Sequence, residues 1–324
     1  MMVTQQLINA LNVGSEYALI ALGYTMVYGV LRLINFAHGD VFMVGAFVGA
    51  FTARALEGGM SAGGHLQLSQ TLWQAGVGLL VAMVVCGLLG WAIERFAYRP
   101  LRNAPRLSSL ITAIGVSLFL EYMAEISWHV GGLRYFGSTP TYFPPIAGSN
   151  HGVHVIDHVL HARVIYKDLI TFGVCGVTFV LLWWIVRHTR MGKAMRAVSI
   201  SFDASRLMGI NLNRVISFTF ILGSVLAAVG GCLVGLRNNQ AQPLMGVMPG
   251  LKAFIAAVIG GIGNIPGAVV GSFLLALVET LVASITIHGV SLSPYRDAVA
   301  FLILILMLLV RPEGIFGKAV PEKV

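Results

Sequence analysis

The sequence predicts an all-α fold: a polytopic transmembrane helix bundle of about eight or nine membrane segments, one of them broken at Gly260–Gly267. Three observations carry this. Only 10% of the 324 residues are charged and 57% are hydrophobic, whereas a soluble domain carries about 25% charged residues. Apolar runs of about 20 residues, the length that crosses a bilayer, recur along the chain, and the mean hydropathy is +0.83. The basic residues gather in the short stretches between those runs, as membrane orientation requires. Residues 1–324 therefore read as one domain dissolved in lipid.

The runs fall near 7–31, 36–56, 71–93, 107–127, 168–186, 215–236 and 296–310. The stretch 250–286 is apolar too, but Gly260-Gly261-Ile262-Gly263-Asn264-Ile265-Pro266-Gly267 interrupts it. It reads as a short segment, a turn, then a full helix from about 267 to 286. Irregular backbone at membrane depth is tolerated only when buried in protein or lining a cavity, so the break is a candidate for a transport path. Met1 to Asn9 holds no basic residue and the apolar stretch after it is too long for a cleaved leader, so the first span is expected to stay.

Lys and Arg in short loops set the orientation. Arg95, Arg99, Arg102 and Arg106 mark one cytoplasmic loop; Arg187, Arg190, Lys193, Arg196, Arg206 and Arg214 mark a second; Arg311, Lys318 and Lys323 place the C-terminus inside. The segment 127–167, poor in basic residues, is expected outside, as is the N-terminus. This pattern accounts for the net charge of +8. Nucleic acid is not an expected partner, since no aromatics interleave with the basic residues. Cys86, Cys175 and Cys232 lie inside apolar runs and act as small hydrophobes. Glycines at four-residue spacing (Gly45 and Gly49, Gly231 and Gly235, Gly263, Gly267 and Gly271) suit helices that approach closely in lipid.

Few residues carry chemistry. Asn35, His38 and Asp40 open the second span: Asn35 and Asp40 suit a helix start, and all three suit a polar path or gate. One His and one Asp are too few for a closed metal site. Glu121 and Glu125 share a helix face near an outer end, while Glu16 and Glu279 lie deeper with no partner visible in the sequence. His151, His154, Asp157, His158 and His161 cluster in the outer segment, either as a solvated loop or as metal ligands. No phosphate-cradling Gly-rich loop with Lys-Ser or Lys-Thr is present, and no Gly-x-Ser-x-Gly elbow. No catalytic residue, metal or cofactor is expected.

The loop Met191–Arg214 is oversized for a connector. Ala194, Val198, Ala204, Leu207 and Met208 fit a short amphipathic helix pair with basic residues on the other face. Such a pair either rests on the membrane surface or docks to a cytoplasmic partner.

The stretch Tyr17–Gly29 followed by Leu33-Ile-Asn-Phe-Ala-His-Gly-Asp40 resembles the branched-chain amino acid ABC permeases of the LivH type. Ile93–Arg102, the loop Met191–Arg214 and Gly250–Ala268 fit the same family, in order, over nearly the whole chain. The resemblance implies a multi-pass permease of a bacterial inner membrane carrying leucine, isoleucine and valine, with relatives that carry other amino acids, urea or amides. It implies a second homologous permease subunit, two cytoplasmic ABC ATPases that hydrolyse the ATP, and an extracytoplasmic solute-binding protein. It assigns ATPase coupling to the segment 187–214, with Gly192, Arg196, Asp203, Arg206, Gly209 and Ile210 as candidate residues. Ile200, Ser201 and Phe202 depart from the family, which is usually polar or charged there. The candidate translocation path comprises Asn35, His38, Asp40, Gly263, Asn264 and Pro266. The rival readings are a membrane-embedded enzyme using His38 and Asp40, and a stand-alone channel or secondary carrier.

Overall fold

The computed structural model describes residues 2–58, 68–102, 104–130, 133–143, 164–287 and 290–317. The apolar runs fold as helices: α1 (Met2–Leu31), α2 (His38–Gly58), α3 (Leu68–Ala92), α4 (Arg106–Glu125), α5 (Tyr166–His188), α6 (Arg190–Ile200), α7 (Phe202–Leu207), α8 (Leu212–Asn238), α9 (Val247–Gly260), α10 (Ile265–Ser284) and α11 (Arg296–Val310). After α3 the chain continues as a π-helical turn, Ile93–Tyr98, and a 3-10 turn, Arg99–Leu101. Three two-stranded ribbons complete the described residues: β1 (Trp128–Val130) with β2 (Leu133–Tyr135), β3 (Thr141–Tyr142) with β4 (Gln240–Ala241), and β5 (Thr286–Ile287) with β6 (Val290–Ser291).

Among the described residues seven helices are long and apolar enough to cross a membrane, and α9 is a shorter apolar helix of 14 residues. The 30 residues of α1 span about 45 Å, ample for a crossing. Its Asn12, Ser15, Glu16, Tyr17, Tyr24 and Thr25 make it more polar than those seven. The expected eight or nine segments are therefore not reproduced as a count of apolar spans. The reason is the position of α1. It runs through the centre of the bundle against α8, α9 and α10, with Leu19, Ile20, Ala21 and Leu22 fully buried. Protein rather than lipid surrounds it, so its polar groups find partners.

α2 and α8 form the rest of the core, while α4, α5 and α11 keep most of their apolar side chains on the outside. The glycine pairs explain how the core closes. A Cβ on Gly231 would run into the Phe42 carbonyl, one on Gly45 into the Ala228 backbone, and one on Gly235 into the Phe143 ring. Gly267 and Gly271 press α10 against the backbone of Ala256 and Gly260 on α9. Gly267→Leu should therefore force this hairpin apart although it raises hydropathy. The expected result is loss of monodisperse protein in size-exclusion chromatography; a normal profile would mean that the face is open to lipid.

The ends of the bundle differ in charge. One end gathers Arg32, Arg102, Arg187, Arg196, Arg214 and Arg311, and is called the basic end below. At the other, Arg237 Nη1 donates to Glu16 Oε1 at 2.8 Å and Lys167 Nζ to Asn239 Oδ1 at 2.6 Å.

Candidate functional site

Two helices start inside the bundle. The α1 backbone turns at Arg32 (φ 53°), and residues 33–37 carry the chain back inward so that α2 begins at His38. His38 lies against Gly23 of α1, which also faces the Gly223 carbonyl of α8, eight residues (about 12 Å) above the end of α1. α9 also begins at depth. Gly39 and Gly246 meet backbone to backbone, and Gly250 touches Gly39; side chains there would keep the two helix starts apart. The Tyr24 ring packs edge-on to His38, with centroids 4.7 Å apart, and to Phe254 at 6.1 Å.

The polar residues of this region have separate partners. Tyr98 OH donates to Asn35 Oδ1 at 2.9 Å, so the Asn35 amide is tied to the π-helical turn. Asp40 occupies the first turn of α2, as expected, and accepts from Ser117 Oγ at 2.5 Å with Glu121 beside it. His38 Nε2 is buried without a hydrogen-bond partner. His38 and Asp40 thus face different neighbours and do not converge on one reacting atom.

A second cluster unites four elements. Lys252 Nζ on α9 sits 3.0 Å from Glu279 Oε1 on α10 and 2.7 Å from Asp297 Oδ1 at the start of α11. Tyr17 OH on α1 donates to Glu279 Oε2 at 2.9 Å. Lys252 and Glu279 are almost fully buried, whereas Asp297 keeps access to solvent. A charge at this depth is tolerable only when paired.

The α9–α10 turn lies at the basic end rather than at mid-depth. Gly261 (φ 99°) and Gly263 (φ 94°) supply left-handed backbone, which glycine adopts without strain. Asn264 caps α10: its Oδ1 accepts from the Gly267 N–H at 3.2 Å, and its Nδ2 donates to the Phe316 carbonyl at 2.9 Å. Pro266 occupies the first turn of α10, where its missing N–H costs nothing. The strap after α11 returns the contact, Ile315 N donating to Ile259 O at 2.8 Å and Phe316 N to Gly260 O at 3.2 Å. The turn borders a cavity of 1080 Å³ that Arg32, Arg187, Arg196 and Glu313 also line.

The loop expected to be large folds as α6 and α7, and its sides differ from the predicted ones. Gly192, Met195 and Val198 of α6 are buried against the bundle. Gly192 is needed for closeness: a Cβ would strike the Ile185 and Val186 carbonyls. Arg196, itself exposed, donates to the Val186 carbonyl at the end of α5. Leu207 and Met208, assigned by the sequence pattern to the apolar face of the pair, instead project outward at 89% and 81% exposure. Ile200 joins them at 82%, and Asp203 and Arg206 are exposed beside them. Ser201 is the N-cap of α7, its Oγ accepting from the Ala204 N–H at 3.3 Å. Gly209 has φ 78° with open space around it, and Ile210 packs onto the core.

The family described as "Branched-chain amino acid transport system / permease component" matches residues 6–308. The chain is 39% identical over 323 residues to the high-affinity branched-chain amino acid transport system permease protein LivH of Escherichia coli K12, covering 99% of this chain and 97% of that protein. It is 40% identical over 320 residues to BraD, a permease protein of the same description from Pseudomonas aeruginosa, with the same coverage. The chain belongs to the branched-chain amino acid permease family. A solved metal-chelate type ABC transporter in an inward-facing conformation is 16% identical, with a TM-score of 0.48 over 94% of this chain and 86% of its own. That likeness is too slight to place any residue.

In this permease, then, the residues expected to form one path fall into two places. Asn35, His38 and Asp40 are buried at the inner start of α2. Gly263, Asn264 and Pro266 line the cavity at the basic end. The expected coupling residues stay together on α6, α7 and the turn after them; Gly192 is buried against the bundle and Arg196 bonds the end of α5 while staying exposed, and Asp203 and Arg206 are exposed. The outer histidine cluster lies outside the described residues, and no group of metal-ligating side chains occurs among the described ones.

At the basic end, Glu94 and Tyr98 were not singled out by the sequence, and Arg102 was seen only as a marker of orientation. Glu94, fully buried in the π-helical turn, is ion-paired with Arg102 and accepts from Ser217 Oγ at 2.5 Å. Arg102 Nη1 donates to Asn213 Oδ1 at 2.6 Å. Tyr98, in the same turn, holds Asn35. The turn therefore joins the end of the α7–α8 loop to the inner start of α2. A buried acid flanked by arginines in a family motif was the available signal.

Proposed function

We propose that this inner-membrane permease is the translocation subunit of an ATP-driven importer of leucine, isoleucine and valine. The observation that carries the reading is the 39–40% identity to LivH and BraD over nearly their whole length. The importer combines it with a second homologous permease, two cytoplasmic ATPases and an extracytoplasmic solute-binding protein. The basic end is cytoplasmic by the distribution of Lys and Arg.

ATP work reaches the helices through the segment 187–214. Its exposed Ile200, Leu207 and Met208, with exposed Asp203 and Arg206 on the same short segment, form an apolar knob flanked by charge that suits a protein groove. Lipid-surface docking is the weaker reading because α6 buries its own apolar face in the bundle. Movement of the knob passes by Asn213 and Ser217 to Arg102 and Glu94, and from Tyr98 to Asn35. π-helical turns recur at functional sites, where they interrupt an otherwise regular helix.

The path runs past the inner starts of α2 and α9, whose positive helix ends favour a carboxylate at mid-depth. Asn35, His38 and Asp40 belong to it. Gly263, Asn264 and Pro266 have their turn and capping roles, and the groups around them support a different use of their cavity.

Competition for labelled leucine uptake tests the substrate class. Isoleucine and valine should compete, while urea and amides at equal concentration should not; inhibition by urea or amides alone would assign the chain to those relatives. Single-cysteine labelling tests orientation: Leu207→Cys should react only from the cytoplasmic side and Tyr142→Cys, at the opposite end, only from outside.

A further inference from the structure

The basic-end cavity has a charge that the protein leaves unbalanced. Arg32, Arg187 and Arg196 line it against one carboxylate, Glu313, and α10 starts at its wall. α1, α5 and α11 end there, and a guanidinium beside a helix C-terminus is stable without any ligand. Arg196 is accounted for in this way, through the Val186 carbonyl. Arg32 and Arg187 are not: among the described residues their guanidiniums make no hydrogen bond or ion pair. The Arg187 guanidinium carbon instead sits over the Trp183 ring, 5.0 Å from its centroid.

The cavity borders the lipid-facing helix. Trp183 lines it, and Val177, Val180, Leu181 and Trp184 extend the same helix as an exposed apolar surface. Tryptophans next to basic residues mark the headgroup level of a membrane, and basic pockets between helices at a cytoplasmic face hold anionic headgroups. Tyr28, Trp183 and Phe316 give the cavity apolar walls for the glycerol region beneath a phosphate.

We propose that this cavity binds the headgroup of an anionic phospholipid from the leaflet at the basic end, its phosphate between Arg32 and Arg187. The α9–α10 turn and Ser199 of α6 also line the cavity, so the lipid bridges the hairpin and the coupling segment. The inference is independent of the substrate and of ATP hydrolysis, and its test needs neither.

The full-length chain, purified in mild detergent with the subunits that accompany it, is delipidated and titrated with dioleoyl phosphatidylglycerol or dioleoyl phosphatidylcholine. Bound lipid is counted by native mass spectrometry. Each arginine is worth about fivefold in affinity, so Arg32→Gln with Arg187→Gln should weaken phosphatidylglycerol binding by about 25-fold and leave phosphatidylcholine unchanged. Arg190→Gln with Lys193→Gln removes the same charge from α6 outside the cavity and should bind as the parent does. Arg32→Lys with Arg187→Lys should stay within about threefold. Equal binding by the parent and the glutamine pair would overturn the proposal, as would an equal loss in the α6 control or in the lysine pair. Displacement of the phosphatidylglycerol by inorganic phosphate at matched ionic strength would reveal a soluble-anion site and overturn the assignment to lipid.

Discussion

Lys252→Met is expected to destabilise the bundle by about 3–5 kcal/mol, because it leaves Glu279 charged and unpaired in the interior. The lysine is the cation that neutralises Glu279, at 3.0 Å, and Tyr17 supplies one hydrogen bond that cannot replace it. Asp297 fares better, since its carboxylate reaches solvent and Arg296 stands 3.5 Å away. The pairing makes the test sharp. Lys252→Met with Glu279→Gln removes both buried charges together, and such replacements are often neutral. Thermal unfolding of the detergent-solubilised protein should show a large drop in Tm for the single variant and recovery of most of it in the double. A double variant as unstable as the single one would mean that Lys252 acts through packing, and the ionic node would lose its role.

Gly209→Pro should abolish transport while the chain still inserts and folds. The φ of 78° at Gly209 is closed to proline, whose ring holds φ near −65°. The change also removes the Gly209 N–H that donates to the Arg206 carbonyl at 3.0 Å. No side chain crowds the position, so the damage is confined to the turn that presents Leu207 and Met208. Stimulation of ATP hydrolysis by loaded binding protein should disappear. Arg206→Ala keeps the turn and removes one exposed charge, so it should act in the same direction but more weakly. Full stimulation in both variants would show that this loop does not couple the ATPases to the bundle.

The extent to which the chain declared this arrangement differs by scale. Helix positions were legible, because twenty apolar residues in a row have one stable state in lipid: the run near 215–236 folds as Leu212–Asn238, and the run near 168–186 as Tyr166–His188. The broken segment was legible from its glycines, and Gly261 and Gly263 take the left-handed conformations that explain them. Partnerships across the bundle were not legible. Glu279 was visible as a buried acid, but Lys252, Tyr17 and Asp297 come from three other helices, and no spacing in the sequence joins them. Asn264 and Pro266 looked like path residues, yet Asn-x-Pro-Gly is also a helix start, and that reading accounts for both. The pattern on α7 misled for a physical reason. Ala194, Val198, Ala204, Leu207 and Met208 were read as one apolar face, but the extended backbone at Ser201 separates the two helices, so Val198 packs on the bundle while Leu207 and Met208 are exposed.

ATP-driven uptake by the assembled complex in proteoliposomes tests the transport role most directly. Labelled leucine should accumulate against its gradient when loaded binding protein is outside and ATP is present on the face that carries Arg206, and should fail to accumulate without ATP. Equal uptake with and without ATP would contradict the account and identify the chain as a channel or secondary carrier.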